Sequence, residues 1–306
     1  MPISIAAPPQ PVAIFSGFDY VTVDEVHHRA YAAHPASKRL LVIDTSSGKV
    51  LAQVDVGPMH GVAVDPNSGA VFTGNGTDQT LSKVDPSSMK VITSVAVPGN
   101  IDDIAYDPAR GRIYADQDGG GSVYVIDSQT MKLMGTIAMP ADDLESPAVD
   151  PATGMLYQNL ANGGGFAVVD PVAMRVVKVV KTPQLIDNHP LVFSPAADQV
   201  IVGGENGVLS AYAPDGTHVG DAQVQPHIDQ CNTGSRGNFV VCAGRGVVTV
   251  IAVSKGSAPR VVGRLDTDHR GVHTVGIDET TNDIWVVYAD PAGDWVQRLR
   301  WSPTGS

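Results

Sequence analysis

The chain has 306 residues, with 32 glycines, 22 prolines, 6% aromatic and 17% charged side chains. That composition describes many short strands joined by tight turns and excludes a helical bundle. A formal net charge of −12 with no Lys/Arg cluster argues against a nucleic-acid partner, and no apolar run approaches the roughly 20 residues that span a bilayer, so a soluble all-β protein is expected.

The N-terminal stretch "MPISIAAPPQPVAIF" lacks the charged region and apolar core of a signal peptide. Its Ala/Pro character is that of a segment following a cleavage site, so a periplasmic or secreted location is expected, with a cytoplasmic chain as the alternative. Within it, "PVAIFSG" reads as a strand with no partner of its own.

From Val21 onward one unit recurs. Aligning on the turn after each first strand gives "VTVDEVHHRAYAAH", "GVAVDPNSGAVFTGN", "DIAYDPARGRIYADQ", "PAVDPATGMLYQNL", "PLVFSPAADQVIVGG", "QCNTGSRGNFVVCAG" and "TVGIDETTNDIWVVYAD". The turn markers Asp24, Asp65, Asp107, Asp150, Ser194, Gly234 and Asp278 follow one another at about the 40–45 residues of a four-stranded propeller blade. A second pair of strands completes each copy, as in "LLVIDTSSGKVLAQVDV" and "VYVIDSQTMKLMGTIAM". The expectation is one domain over 1–306, an all-β seven-bladed β-propeller with four-stranded antiparallel blades. The last copy ends in the single strand "WVQRLRWSPTGS", so the N-terminal strand Val12 to Ser16 is expected to complete it and close the ring.

The run "RLLVIDTSSGKVLAQVDVGPMHGVAVDPNSGAVFTGN" resembles the YVTN-repeat, YncE-like seven-bladed propellers, and the resemblance spans nearly the whole chain. It implies the fold. For function it implies only a group that includes exported binding and scaffold proteins and propeller enzymes such as lactonases.

The two faces of such a ring differ in chemistry. The turns after the inner strands, "DPNSG", "DPARG", "DPATG" and "SPAAD", are ordinary turn sequences, and His27 and His28 fall among them. The opposite face carries "GPMH", "PGNIDD", "PADDLES", "PQLIDNHP", "QPHIDQ" and "TDHRGVHT", with five of the nine histidines. Five residues before each turn marker stand Asp19, His60, Asp102, Glu145, His189, Asp229 and His273, one ionisable residue per blade.

Three histidines and a carboxylate form an N/O donor set for Zn²⁺, Fe²⁺, Mn²⁺ or Cu²⁺. The expected ligands of one divalent transition metal are therefore His60, Glu145, His189 and His273. Asp19, Asp102, Asp229, His227 and His269 are expected behind them or facing substrate, since ligating histidines are commonly oriented by a carboxylate. No "GxSxG", "GxxxxGK[ST]" or "HExxH" is present, and the Gly-rich "NGGGF" and "DQDGGGSVY" read as turns. The expected activity is that of a monomeric, metal-dependent protein acting on a small molecule at the channel mouth. The alternatives are a non-catalytic exported binding or scaffold propeller and a metal-free lactonase-like enzyme. The only cysteines, Cys231 and Cys242, fall opposite each other on adjacent strands of the sixth copy, which in an oxidising compartment predicts a disulfide.

Overall fold

A computed structural model describes residues 3–12 and 17–302. Six repeats form four-stranded antiparallel sheets, the last contributes three strands to a sheet completed by two short N-terminal strands, and the seven blades follow in chain order. Their inner strands are Val21–Asp24, Val62–Val64, Ile101–Asp107, Leu144–Val149, Asn188–Ser194, Gln230–Thr233 and Thr274–Asp278. The middle strands, such as Phe239–Gly244, are nearly continuous apolar runs buried on both faces, while the outermost, such as Lys90–Ala96, are largely exposed. This gradient is the one expected of sheets packed face to face around an axis. No helix among the described residues is long and apolar enough to cross a membrane.

Seven apolar clusters hold the blades together, each bridging two consecutive blades. Between the first two, Tyr31, Leu40 and Val42 pack on Val62, Val71 and Val84. Between the last and the first, Trp285, Val287 and Val296 pack on Ala30, Leu41 and Ile43, so the ring is continuous. Burying a Val, Leu or Ile side chain contributes about 1.5–3 kcal/mol, and each interface buries several.

The N-terminus closes the ring as expected, but through different residues. Ile3–Ile5 and Gln10–Val12 both pair antiparallel with the long strand Gly293–Trp301, in the registers Ile3↔Trp301 and Gln10↔Val296. Of the expected segment Val12 to Ser16, Val12 pairs with Asp294, and Ala13–Ser16 lie outside the described residues. Prolines 8, 9 and 11 argue against a strand inside a sheet, but on an outer edge a missing N–H removes no ladder bond. Between the two short strands Ala6 N and Ala7 N both donate to Arg298 O, at 3.0 and 3.4 Å. Next to the closure, His34 Nε2 of the first blade lies 2.8 Å from Asp294 Oδ2 of the last, both side chains fully or nearly fully buried.

The turn markers work as sequence chemistry requires. Asp24 Oδ1 accepts from the backbone N–H groups of Val26 and His27, and Asp107 Oδ1 and Asp278 Oδ1 repeat the pattern. The sixth blade has Gly234 where an acid belongs. Its turn is held instead by carboxylates from the seventh and first blades. Glu279 accepts from Gly237 N and Phe239 N, both at 2.9 Å, and Glu25 accepts from Ser235 N, Ser235 Oγ and Glu279 N. A Cβ at position 234 would stand 2.5 Å from Glu279 Cγ and 2.6 Å from Glu25 Oε1, so these side chains require glycine there. In the same blade Cys231 and Cys242 are direct cross-strand partners and form a disulfide.

Two outcomes test this architecture. A chain lacking residues 1–12 exposes the edge of Gly293–Trp301 and is expected to melt at lower temperature with less cooperativity, or to aggregate; melting identical to the intact chain would refute the closure. Restoring the repeat consensus with Gly234→Asp is expected to destabilise the protein by about 1–3 kcal/mol, the cost of overpacking a filled site. Thermal melts of the variant and the parent check it, and an unchanged or raised Tm contradicts the assignment.

Candidate functional site

The inner strands begin at one face, and there each presents its ionisable residue. Three of them are not regular at that point. Register shifts fall between Ile101 and Ile104, between Glu145 and Pro147, and between Asn188 and Leu191, so Asp102, Glu145 and His189 all sit at bulges. A bulge re-aims the side chains around it, and such irregularities concentrate next to functional sites. Ser146, directly after Glu145, has φ of 38°, a conformation uncommon for a residue with a side chain.

The seven residues form two arcs and an outlier. In the first arc His60 Nδ1 lies 2.6 Å from Asp19 Oδ2 and 3.9 Å from Asp102 Oδ1, so a histidine from the second blade sits between carboxylates of the first and third. His60 Nε2 faces its own blade, where a Cβ at Gly76 would stand 3.1 Å away. Gln230 Nε2 donates to Asp19 Oδ1 at 2.7 Å. In the second arc His189 Nε2 lies 3.1 Å from Asp229 Oδ1 and 3.6 Å from Glu145 Oε2, a histidine of the fifth blade between carboxylates of the sixth and fourth. A hydrogen bond between the side chains of Asp102 and Glu145 joins the arcs. The outlier is His273, whose Nδ1 lies 2.8 Å from Gly271 O and Nε2 3.0 Å from Phe18 O.

Among the described residues the group able to seat an ion is Asp19, His60 and Asp102, whose donor atoms all lie within 4.8 Å of one another. This group unites one expected ligand, His60, with two acids expected behind it. Glu145 and His189 meet across the mouth, His273 is engaged with backbone carbonyls, and none of the three joins that group. His227 and His269 lie around the rim, 3.4 Å from Glu205 and 3.5 Å from Asp290, and the His269 ring stacks on Tyr288.

A cavity of about 230 Å³ opens inside the ring, lined by Asp19, Asp102, Glu145, His189, Asp229 and His273 with Phe18, Tyr20 and Gln230. No Lys or Arg lines it. Beneath it lies a second acidic layer that sequence reasoning missed. Buried Asp116 accepts from Asp103 N at 2.7 Å and from Gln158 Nε2 at 2.9 Å, and Gln158 Nε2 also reaches Glu145 O at 2.8 Å. Gln158 is fully buried, and its Oε1 has no hydrogen-bond partner among the described residues. The available signal was the aspartate that follows the apolar run of the strand "RIYADQ" and the doubled acid of "NIDDIAY".

With no Lys or Arg lining the cavity, Asp102, Asp103, Asp116 and Glu145 are all pushed toward their protonated forms. Burial first and the charge of Asp19 second push Asp102 up to about 7. Burial and then Asp102 raise both Asp116 and Glu145, and burial with Asp116 raises Asp103. His60 is raised, chiefly by its hydrogen bond to Asp19. For His189, burial pulls the imidazole down, but the hydrogen bond and charge of Asp229 outweigh it and leave it raised.

No protein-family model matches the chain, and no curated protein matches it in sequence. Among solved structures it is similar to Kuenenia stuttgartiensis hydrazine synthase, with 15% identity and a TM-score of 0.80, over 97% of this chain and 100% of that one. That likeness shows a shared fold. At this identity it carries no information about the residues of the mouth.

The raised carboxyls make stability depend on pH. From about pH 4, where carboxyls titrate in the unfolded chain, up to the value near 7 of Asp102, the native chain binds more protons than the unfolded one. Stability without metal therefore falls as pH rises through that window. Glu145→Gln keeps a donor toward Asp102 and removes one titrating partner. It is expected to raise Tm by several degrees at pH 8 and to leave it unchanged near pH 4, as read by melts in chelator; an equal shift at both values would show that the crowded carboxyls are not the origin of the pH dependence.

Proposed function

We propose that this chain is an exported propeller of the YVTN-repeat kind whose channel mouth holds one divalent transition metal and acts on a small molecule there. The observation that carries the reading is the convergence of Asp19 Oδ2, His60 Nδ1 and Asp102 Oδ1 from three successive blades. Zn–N and Zn–O bonds of about 2.0–2.2 Å place neighbouring donors roughly 3–3.5 Å apart. The contacts of 2.6 and 3.9 Å bracket that spacing. The ion takes the place of the proton now shared by Asp19 and His60, so affinity falls on acidification.

Three protein donors leave a coordination position for water or substrate, and the cavity borders two of them, Asp19 and Asp102. Across it, His189 with Asp229 and Glu145 supplies groups able to accept and return a proton. The Cys231–Cys242 disulfide supports an oxidising location.

The test is the metal content of protein purified without a metal-affinity column and equilibrated with Zn²⁺, Mn²⁺ or Fe²⁺. About one ion per chain is expected. His60→Ala and Asp102→Asn should each weaken binding by 10-fold or more, whereas His273→Ala should leave it unchanged. Retention of the metal in both His60→Ala and Asp102→Asn would overturn the reading.

A further inference from the structure

The face opposite the mouth, where the sequence shows only turn chemistry, encloses a funnel of about 350 Å³, within the range of small-ligand sites. Strand alternation builds most of its wall. In the second to fifth blades the inner strand leads out through an apolar residue, a turn residue and a proline: Val64-Asp65-Pro66, Tyr106-Asp107-Pro108, Val149-Asp150-Pro151 and Phe193-Ser194-Pro195. Successive side chains point opposite ways. Asp107, Asp150 and Ser194 are buried and accept from turn N–H groups, while the apolar residue and the proline on either side of each line the funnel. The four prolines are exposed, and a pyrrolidine ring carries neither charge nor N–H.

The first and sixth blades add a different chemistry. Thr22, Asn232 and Thr233 stand at the inner end of the funnel, which it shares with a cavity of about 280 Å³ farther along the axis. The two hydroxyls have spent their protons, Thr22 Oγ1 on Val62 O at 2.7 Å and Thr233 Oγ1 on Phe239 O at 2.8 Å, but each oxygen can still accept. At the outer end two carboxylates are already taken up. Asp24 accepts from Val26 N and His27 N, and Glu25 from Ser235 N, Ser235 Oγ and Glu279 N. Among the described residues no Lys or Arg lines the funnel. An anion entering it therefore meets two carboxylates and no cationic side chain, and a cation must compete with the donors that hold them.

We propose that this funnel binds an uncharged aromatic molecule bearing a hydroxyl, with its ring against Pro66, Pro108, Pro151 and Phe193 and its hydroxyl donating to Thr22 Oγ1 or Thr233 Oγ1. A ring suits the first surface because it packs on the prolines and pairs with Phe193 and Tyr106, and aromatic pairs gain beyond the area they bury. Tyr106 offers its ring, since its hydroxyl is bonded to Ser128 and Asp65. A hydroxyl suits the second surface: it is a donor without charge, facing threonine oxygens that can only accept. The site stands apart from the ion proposed at the mouth, because Asp19, His60 and Asp102 do not line it.

Calorimetric titration of the intact protein at neutral pH with 4-ethylphenol tests the proposal, with phenol, 4-ethylanisole, 4-ethylbenzoate and 4-ethylbenzylammonium for comparison. The ethyl group is expected to tighten binding about 10-fold over phenol, from about fourfold or less for each added carbon. The anisole, which cannot donate, should bind about 5-fold more weakly than 4-ethylphenol, and both charged analogues about 10-fold more weakly or worse. Pro151→Glu, at an exposed turn position open to most residues, should weaken 4-ethylphenol by about 5-fold or more. Thr22→Val should weaken 4-ethylphenol and leave 4-ethylanisole unchanged, a split that a general loss of structure does not produce. Affinities should be equal in chelator and in zinc. A charged analogue binding as tightly as 4-ethylphenol, undiminished binding to Pro151→Glu, or equal losses of phenol and anisole in Thr22→Val overturns the proposal. So does an affinity that depends on zinc, which would put the ligand at the mouth.

Discussion

No blade of this protein can bury its two faces alone, and that constraint orders everything else. Each middle strand is apolar on both sides, so its sheet is stable only between two others, and the array has a stable end only when the last blade meets the first. The seven inter-blade clusters are the direct expression of this requirement. The cluster joining Trp285 and Val287 to Leu41 and Ile43 completes the circle, and the N-terminal strands cover the edge that completion leaves open.

Closure also creates the chemistry. Seven inner strands pointing the same way bring their first residues to one rim, so side chains 40 or more residues apart in sequence become neighbours without any element built for the purpose. Because adjacent blades supply adjacent positions, a histidine on one blade is flanked by acids from the blades beside it, as His60 is by Asp19 and Asp102. The bulges at Asp102, Glu145 and His189 show that the strands depart from regular pairing where these groups converge. The cost is a set of buried carboxyls, Asp102, Asp103, Asp116 and Glu145, whose crowding and desolvation raise them above the ordinary carboxyl range.

The repeat itself was legible in the sequence because its signals are local: alternation, turn aspartates and a fixed period. Those signals locate the blades, the two faces and one ionisable residue per blade. They do not reveal how far each side chain reaches toward the axis. Hence His273, in register with the others, is engaged by the carbonyls of Gly271 and Phe18, while Asp19 and Asp102 stand beside His60. Asp116 and Gln158 escaped notice because they sit on second strands, whose residues approach the mouth only after the inner strands bulge. The closing strand was shifted for a similar reason, since edge position, which decides whether Pro11 is tolerated, is a property of the assembled sheet.

The unusual turn of the sixth blade bears on how so repetitive a chain finds one structure. Near-identical blades invite errors of counting, in which a blade docks beside the wrong neighbour or onto another molecule. Glu25 and Glu279 seat their carboxylates only on the bare backbone around Gly234, and a turn of the ordinary type would meet them with a clash and a third negative charge. The sixth, seventh and first blades thus carry an address that no other trio shares among the described residues, placed at the seam where the two ends of the chain must recognise each other.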